Sequence, residues 1–317
     1  MNKIILFLLC FLLGSSFSTF AQGRDREIKI SRQQESPVKT VKVRGKGKIK
    51  NVVFMIGDGM SLAHMYSTWA ANKGKLNLEN CQTVGLAKTY CYDRLITDSG
   101  AAGTALATGH KTRYHAVGVD PEGKPLLTLT DLAAAKSKST GVVVTCRLND
   151  ATPAAFCAHN SDRDQAEALI ADYAGCGVDF IFGGGKRYFC ERKDGRNILE
   201  EMKALGYQTP ENQEQLDAIQ TGKVLAVWAA HDLPRPSVRK EMLTESTMKA
   251  LELLSQNKKG FFLMVEASQI DDYGHANQLD PLVEEILDFD RTIGKVFEWA
   301  AADGETLVVV TADHETG

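Results

Sequence analysis

Short apolar runs alternate with amphipathic segments along most of the chain, and the two patterns predict strands and helices in turn. Six runs rich in β-branched residues are typical of buried strands, at 52–56, 141–145, 180–182, 224–227, 261–265 and 307–310. Four segments between them carry apolar residues at helical spacing, at 126–136, 165–173, 239–254 and 281–301. Continuous apolar strands that alternate with helices predict an α/β fold with a mostly parallel sheet covered on both faces.

The first residues have the pattern of a secretory signal peptide. A positive start is followed by an apolar run over 4–13 and by small residues that end at Ala21. We therefore expect residues 1–21 to be removed and the mature protein to be periplasmic or secreted. Residues 22–47 are polar and charged and predict an exposed N-terminal arm, and no later segment is apolar enough to predict a membrane span.

Composition narrows the classes of function. The formal net charge is −3 and no basic stripe appears, which argues against nucleic-acid binding. Six cysteines lie beyond the signal peptide, an even number that permits disulfides after export. Short loops favour the pairs Cys81–Cys91 and Cys176–Cys190, which leaves the other two cysteines, Cys146 and Cys157, as buried free thiols.

Four predicted strands lead directly into side chains that can bind metal ions. These side chains are Asp58 after the first strand, Asp150 and Thr152 after the second, Glu266, Asp271 and His275 after the fifth, and Asp313 and His314 after the sixth. A single acid at a strand end is usually a helix cap or a solvated turn residue. However, the carboxyl ends of parallel strands meet at one edge of the sheet, and so much negative charge is tolerable there only with bound cations.

The chemical types of these side chains indicate which metal ions they would bind. Imidazole beside carboxylate, as in Asp313 with His314, suits zinc. Oxygen-only groups such as Thr152 and Glu266 suit magnesium. Ser99 is a candidate nucleophile for such a site. Its hydroxyl stands at the predicted start of a helix, in the run Thr97-Asp98-Ser99-Gly100-Ala101. That position fits either a helix cap or a nucleophile beside a bound phosphate.

Five motifs, taken in order, resemble those of the alkaline phosphatases, a family of secreted metal-dependent phosphomonoesterases. They are Ile56-Gly57-Asp58-Gly59-Met60, Thr97-Asp98-Ser99-Gly100-Ala101, Asp150-Ala151-Thr152-Pro153-Ala154 with Arg163, Val265-Glu266-Ala267-Ser268 through Asp271 and His275, and Thr311-Ala312-Asp313-His314-Glu315. The resemblance covers residues from about 50 to 317. It implies that 48–317 is a catalytic domain with the family's three-layer αβα sandwich, lacking the C-terminal strands.

The resemblance also implies a chemistry for the hydroxyl. Ser99 would be the nucleophile that hydrolyses phosphate monoesters through a phosphoserine intermediate. Asp58, Asp313 and His314 would hold the zinc ion that activates Ser99. Arg163 would clamp two oxygens of the phosphate.

Two further metal sites follow from the same resemblance. Asp271 and His275 would supply two ligands of a second zinc, which stabilises the leaving oxygen. Gly274, between them, favours a turn over a helix at this point. Thr152 and Glu266 would complete a magnesium site with Asp58, and Asp150 would bond a water on that magnesium.

The sequence departs from the family pattern at two places. Asp272 stands where family members often carry Lys, His or Trp. The family's third ligand of the second zinc is a histidine well downstream, so we expect this sequence, which stops at Gly317, to be the N-terminal two-thirds of a longer protein that forms a homodimer. The alternatives are a phosphodiesterase or sulfatase of the same superfamily, and a catalytically weak fragment that binds phosphate or metal. The sulfatase motif Cys- or Ser-x-Pro-x-Arg is absent around Ser99.

Overall fold

The structure is a computed structural model that describes residues 35–42, 45 and 47–317. The predicted signal peptide and much of the predicted arm lie outside these residues. No helix among the described residues is both long and apolar enough to cross a bilayer.

Seven strands form one sheet, in the order β4-β5-β3-β2-β6-β1-β7. Their bounds are β1 Asn51–Gly57, β2 Ser139–Arg147, β3 Phe180–Gly184, β4 Tyr207–Gln208, β5 Lys223–Val227, β6 Phe261–Ala267 and β7 Thr306–Ala312. All strand pairs in the described chain are parallel, which confirms the predicted α/β class. The six predicted strands are present. β4, with only two residues, is too short to give an apolar pattern.

Twelve α-helices lie in the described part of the chain. They are α1 Leu62–Ala71, α2 Ser99–Thr108, α3 Leu129–Ala135, α4 Ala151–Cys157, α5 Ala166–Tyr173, α6 Lys186–Cys190, α7 Ile198–Ala204, α8 Gln213–Ala218, α9 Pro236–Arg239, α10 Met242–Leu254, α11 Gln269–His275 and α12 Leu279–Asp303. The helix predicted over 239–254 is divided between α9 and α10, because Lys240 has a positive φ of 57°. A 3-10 helix at Asn77–Asn80 follows α1.

Helices cover both faces of the sheet, because neighbouring strand residues point to opposite sides. On one face, Val142 and Met264 belong to a buried cluster with Phe156 of α4. On the other face, Phe261 packs edge-on against Trp299 of α12, with ring centroids 5.8 Å apart. The sheet is therefore the middle of three layers, and its carboxyl edge is left open for ligands.

The segment at 35–41 is bound to the domain through three asparagine side chains. Ser36 N–H donates to Asn72 Oδ1 over 2.7 Å, and Asn72 Nδ2 donates back to the Ser36 carbonyl. Asn77 and Asn80 bind the backbone further along the segment in the same manner. Most side chains here are exposed, but the backbone is fixed by side-chain amides rather than solvated on all sides.

All six described cysteines are free thiols, and the predicted pairs are not brought together. Cys91 is buried, and its Sγ faces the carbonyl oxygens of the turn that follows it rather than Cys81. Cys176 has Cys157, not Cys190, as its hydrogen-bond partner. The expected pairs followed loop length alone, whereas helix packing decides which thiols meet.

Candidate metal and nucleophile site

Four neighbouring strands of the sheet deliver the predicted site residues. In the order β2-β6-β1-β7, each strand ends beside its neighbour, and the register aligns Ile56 of β1 with Glu266 of β6 and Thr311 of β7. Asp58 therefore lies between the ends of β6 and β7. The convergence expected from parallel topology is present at this edge.

Ser99 is the first residue of α2 and is almost completely buried, with 4% of its surface exposed. The preceding residue, Asp98, caps the helix by accepting hydrogen bonds from the N–H groups of Gly100 and Ala101. Ser99 itself is not the cap, so its hydroxyl is free for other partners. Its Oγ lies 3.1 Å from His314 Nε2 and donates to Asp58 Oδ1 over 3.4 Å.

Four donor atoms here are candidate ligands of one metal ion, and four of the six distances between them are close to those of a tetrahedral site. They are Ser99 Oγ, Asp58 Oδ1, His314 Nε2 and Asp313 Oδ2. Besides the two contacts of Ser99, His314 Nε2 lies 3.5 Å from Asp58 Oδ1 and 3.3 Å from Asp313 Oδ2. Bonds of about 2.0–2.2 Å to a tetrahedral metal place neighbouring donors about 3.3–3.6 Å apart. The observed distances are close to these values.

The second oxygen of Asp58 faces a group of oxygen donors. Thr152 Oγ1 donates to Asp58 Oδ2 over 3.2 Å, and Glu266 is a further hydrogen-bond partner of Asp58. Glu266 is fully buried, yet its Oε1 has no hydrogen-bond partner, and the same is true of Asp313 Oδ2. Buried carboxylate oxygens without partners are costly unless a cation binds them.

The pKa shifts of the buried carboxylates also indicate a cation-binding site. Burial, followed by the charges of Asp313 and Glu266, raises the pKa of Asp58 well above its usual range. Burial also raises the pKa of Glu266 and of Asp313. Carboxylates that raise one another's pKa in this way form a site that gains stability from divalent cations. The residues present therefore fit bound metal, with a nitrogen-containing set near Ser99 and an oxygen-only set near Thr152.

Two arginines border the metal-binding cluster and share Asp150. Arg163 donates from Nη1 to Asp98 Oδ2 over 2.9 Å and from Nη2 to Asp150 Oδ1 over 3.0 Å. Arg147 Nη2 lies 3.0 Å from Asp150 Oδ2, and Arg147 Nη1 pairs with Asp232. Both carboxylates fix the plane of the Arg163 guanidinium beside the helix that carries the serine. Each Nη keeps a second hydrogen for another acceptor.

Asp271 and His275 lie on one face of α11, where the glycine between them favoured a turn over a helix in the sequence. That expectation was wrong, because Gly274 is accommodated inside the helix beside the side chain of His64. Asp271 joins Asp58 and His314, with one donor atom of each within 4.8 Å of the others. His275 stays at the mouth of the site, 71% exposed, with Nε2 3.4 Å from Asp271 Oδ2.

Gly59 allows these groups to come so close. Its φ is +64°, and a Cβ there would lie 2.4 Å from Asp271 Oδ1. The Gly59 N–H donates to Asp313 Oδ1 over 3.0 Å, which links the turn after β1 to the end of β7. A side chain at this position is therefore excluded both by backbone conformation and by space.

Several neighbours of the site could not be predicted from the sequence pattern. Arg147 forms ion pairs with both Asp150 and Asp232, and the Thr316 hydroxyl donates to Asp271. None belongs to a metal-ligand pattern, although Arg147 does stand at the end of a predicted strand. Asp272, the departure from the family pattern, is exposed at the surface, but partial desolvation and the charge of Asp150 raise its pKa to about 6.

Comparison with known proteins gives a consistent picture. The family model described as alkaline phosphatase matches residues 49–317. Alkaline phosphatase 4 of Bacillus subtilis is 39% identical over 303 residues, covering 90% of this chain and 65% of that relative. The chain thus spans just under two thirds of the length of this relative.

Solved structures match as well. The alkaline phosphatase from the Antarctic bacterium TAB5 has a TM-score of 0.83 and 36% identity, covering 86% of this chain and 81% of that one. A histidine variant of the TAB5 enzyme, with magnesium bound in its M3 site, has a TM-score of 0.82 and 35% identity, with coverage of 87% and 80%.

Proposed function

Because the chain belongs to the alkaline phosphatase family, we propose that it hydrolyses phosphate monoesters to an alcohol and inorganic phosphate through a phosphoserine at Ser99. The observation that carries the proposal is the position of Ser99 Oγ, which lies 3.1 Å from His314 Nε2 and 3.4 Å from Asp58 Oδ1, two of the predicted metal ligands. A buried serine that heads a helix and faces metal ligands suits attack on phosphorus better than capping, which Asp98 already performs.

The donor sets support two zinc ions and one magnesium. Asp58, Asp313 and His314 would hold one zinc, and Asp271 with His275 would contribute to the other. Thr152 and Glu266 would hold magnesium together with the second oxygen of Asp58, in line with the magnesium in the TAB5 variant. When bound, these ions would favour the ionised serine and neutralise charge on the phosphate.

The chain's own groups bind and orient the substrate. The Ser99 oxygen attacks phosphorus, the alcohol leaves, and water later attacks the phosphoserine to release phosphate. The positive end of the α2 dipole favours an anion beside Ser99, while Asp98 occupies the N–H groups of Gly100 and Ala101. Arg163, held in its plane by Asp98 and Asp150, presents a fork of N–H groups to two phosphate oxygens. Two in-line displacements leave net retention of configuration at phosphorus.

We also propose a location and partners for the whole protein. The predicted signal peptide and the bacterial relatives support a periplasmic or secreted enzyme that acts on small phosphate monoesters. We further propose that the full-length protein forms a homodimer.

The test compares hydrolysis of p-nitrophenyl phosphate, bis-p-nitrophenyl phosphate and p-nitrophenyl sulfate with zinc and magnesium present. We expect the monoester to react fastest, Ser99→Ala to abolish turnover, and Ser67→Ala, a serine on the surface of α1, to leave it unchanged. Acid quenching should trap phosphate on the peptide that contains Ser99. Faster turnover of the diester or sulfate would favour the superfamily alternatives. Phosphate binding without turnover would indicate a binding fragment instead.

A further inference from the structure

Two cysteines outside the proposed active site meet in the structure. Cys157 is the last residue of α4, and Cys176 lies just after the end of α5. Their thiols lie close enough to interact, and both line the same cavity. Neither thiol faces the metal-binding cluster, so the proposed phosphatase chemistry gives them no role.

The two thiols differ in their access to solvent. Cys157 is buried in the apolar cluster beneath the sheet, whereas Cys176 is only partly buried. Both line an open cavity of about 510 Å³ whose wall also includes His159 and Asp172. Cys176 is therefore the more accessible of the two thiols to a reagent that enters the cavity.

Their acidities differ in the same direction. The hydrogen bond from Cys157, aided by the Val178 backbone N–H, lowers the pKa of Cys176 below its ordinary value. Burial raises the pKa of Cys157 well above that value. The partly exposed thiol is thus the better nucleophile, and the buried one is placed to react second.

We propose that Cys157 and Cys176 form a structural disulfide in the exported protein. The oxidant is a disulfide carried by another molecule, such as a dithiol oxidase or oxidised glutathione. The Cys176 thiolate attacks this oxidant, giving a mixed disulfide and releasing one thiol. Cys157 then attacks Cys176 Sγ and releases the second thiol, so that two protons and two electrons pass from the cysteines to the oxidant.

The bond would close a loop that contains Arg163. The loop runs from the end of α4, whose first turn carries Thr152, through Arg163 to the end of α5. A crosslink that closes a loop of this length removes conformational freedom mainly from the unfolded chain. The inference goes beyond phosphate hydrolysis, because its readouts are bond formation and stability.

Peptide mapping of the exported wild-type chain tests the proposal directly. The protein is denatured without reductant, free thiols are alkylated with iodoacetamide, and the digest is analysed by mass spectrometry. We expect one linked peptide pair joining Cys157 to Cys176, with alkyl groups on the other cysteines of the mature chain. Alkylation of both Cys157 and Cys176, or a link between Cys176 and Cys190, would overturn the proposal.

Thermal unfolding supplies the second measurement. Reduction with dithiothreitol should lower the Tm of the wild type by roughly 5–10 °C, as expected for a loop of this size. The double variant Cys157→Ser/Cys176→Ser should not respond to reductant. The matched control Cys190→Ser should respond as the wild type does, because Cys190, at the end of α6, lies outside the proposed pair. An equal response in the double variant would place the reducible bond elsewhere.

Discussion

The variant Glu266→Gln should stabilise the protein when metal is removed and weaken its response to magnesium. Glu266 is completely buried beside Asp58, and its Oε1 has no hydrogen-bond partner. Burial, with the charges of Asp150 and Asp313, raises its pKa well above the usual range. Glutamine has the same shape without the charge, and its amide can donate to the Asp58 carboxylate. The substitution therefore relieves repulsion in the metal-free site and removes a magnesium ligand.

The size of the stability gain is estimated from the cost of burying Glu266 Oε1 without a partner. An unsatisfied buried polar group costs about 1–3 kcal/mol, more when it is charged. For a domain of this size, that corresponds to a rise in Tm of roughly 2–10 °C for the metal-free variant.

The difference in stability between the metal-free variant and the wild type depends on pH. The folded pKa of Glu266 lies above its unfolded value of about 4.5, so the folded state retains a proton that the unfolded state releases. The metal-free wild type therefore loses stability as pH rises from that value through the folded pKa. The variant should exceed the wild type at pH 8 and match it at pH 4.

The assay is thermal and urea unfolding of chelated protein at both pH values, followed by magnesium titration at pH 8. Magnesium should raise the stability of the wild type much more than that of the variant. Glu305→Gln, at the partly exposed pair with Lys50, is the control and should change stability by less than about 0.5 kcal/mol. Lower stability of metal-free Glu266→Gln at pH 8, or equal magnesium responses, would refute this account of the site.

Three other substitutions probe the site. Arg163→Ala should reduce kcat/KM for p-nitrophenyl phosphate about 10- to 150-fold through lost charge-assisted hydrogen bonds, and Arg163→Lys should recover only part of it; unchanged kinetics in both would remove Arg163 from phosphate binding. Gly59→Ala should lower stability by about 1–3 kcal/mol in urea unfolding, because of its φ and the contact with Asp271, and a neutral result would contradict the crowding described here. Arg147→Ala removes one ion pair of Asp150 and should raise the magnesium concentration needed for half-maximal activity about two- to fivefold, and Arg147→Lys should restore the wild-type concentration. The same magnesium concentration in wild type and Arg147→Ala would show that Arg147 does not support the magnesium site.

Much of the fold and the site could be predicted because both depend on strand ends. Apolar runs located six strands, and parallel topology implied that the residues after them, such as Asp58 and Glu266, would meet. Contacts that depend on how helices pack could not be predicted. The pairing of Cys157 with Cys176 depends on how α4 and α5 lie together, and the brace from Arg147 depends on the loop that carries Asp232. The helical state of α11 prevailed over the turn preference of Gly274, which is buried there against the side chains of His64 and Thr316.

The place of β1 in the sheet has a consequence for how the protein matures. β1 lies between β6 and β7, and the bond from the Gly59 N–H to Asp313 Oδ1 joins residues 254 positions apart. Contacts of such long range form slowly, because the loop entropy is lost before they stabilise the chain. Asp58 therefore has no contact with Asp313 until the chain through β7 has been synthesised and folded. A metal ion that needs both carboxylates would bind late in folding, after the whole sheet has formed.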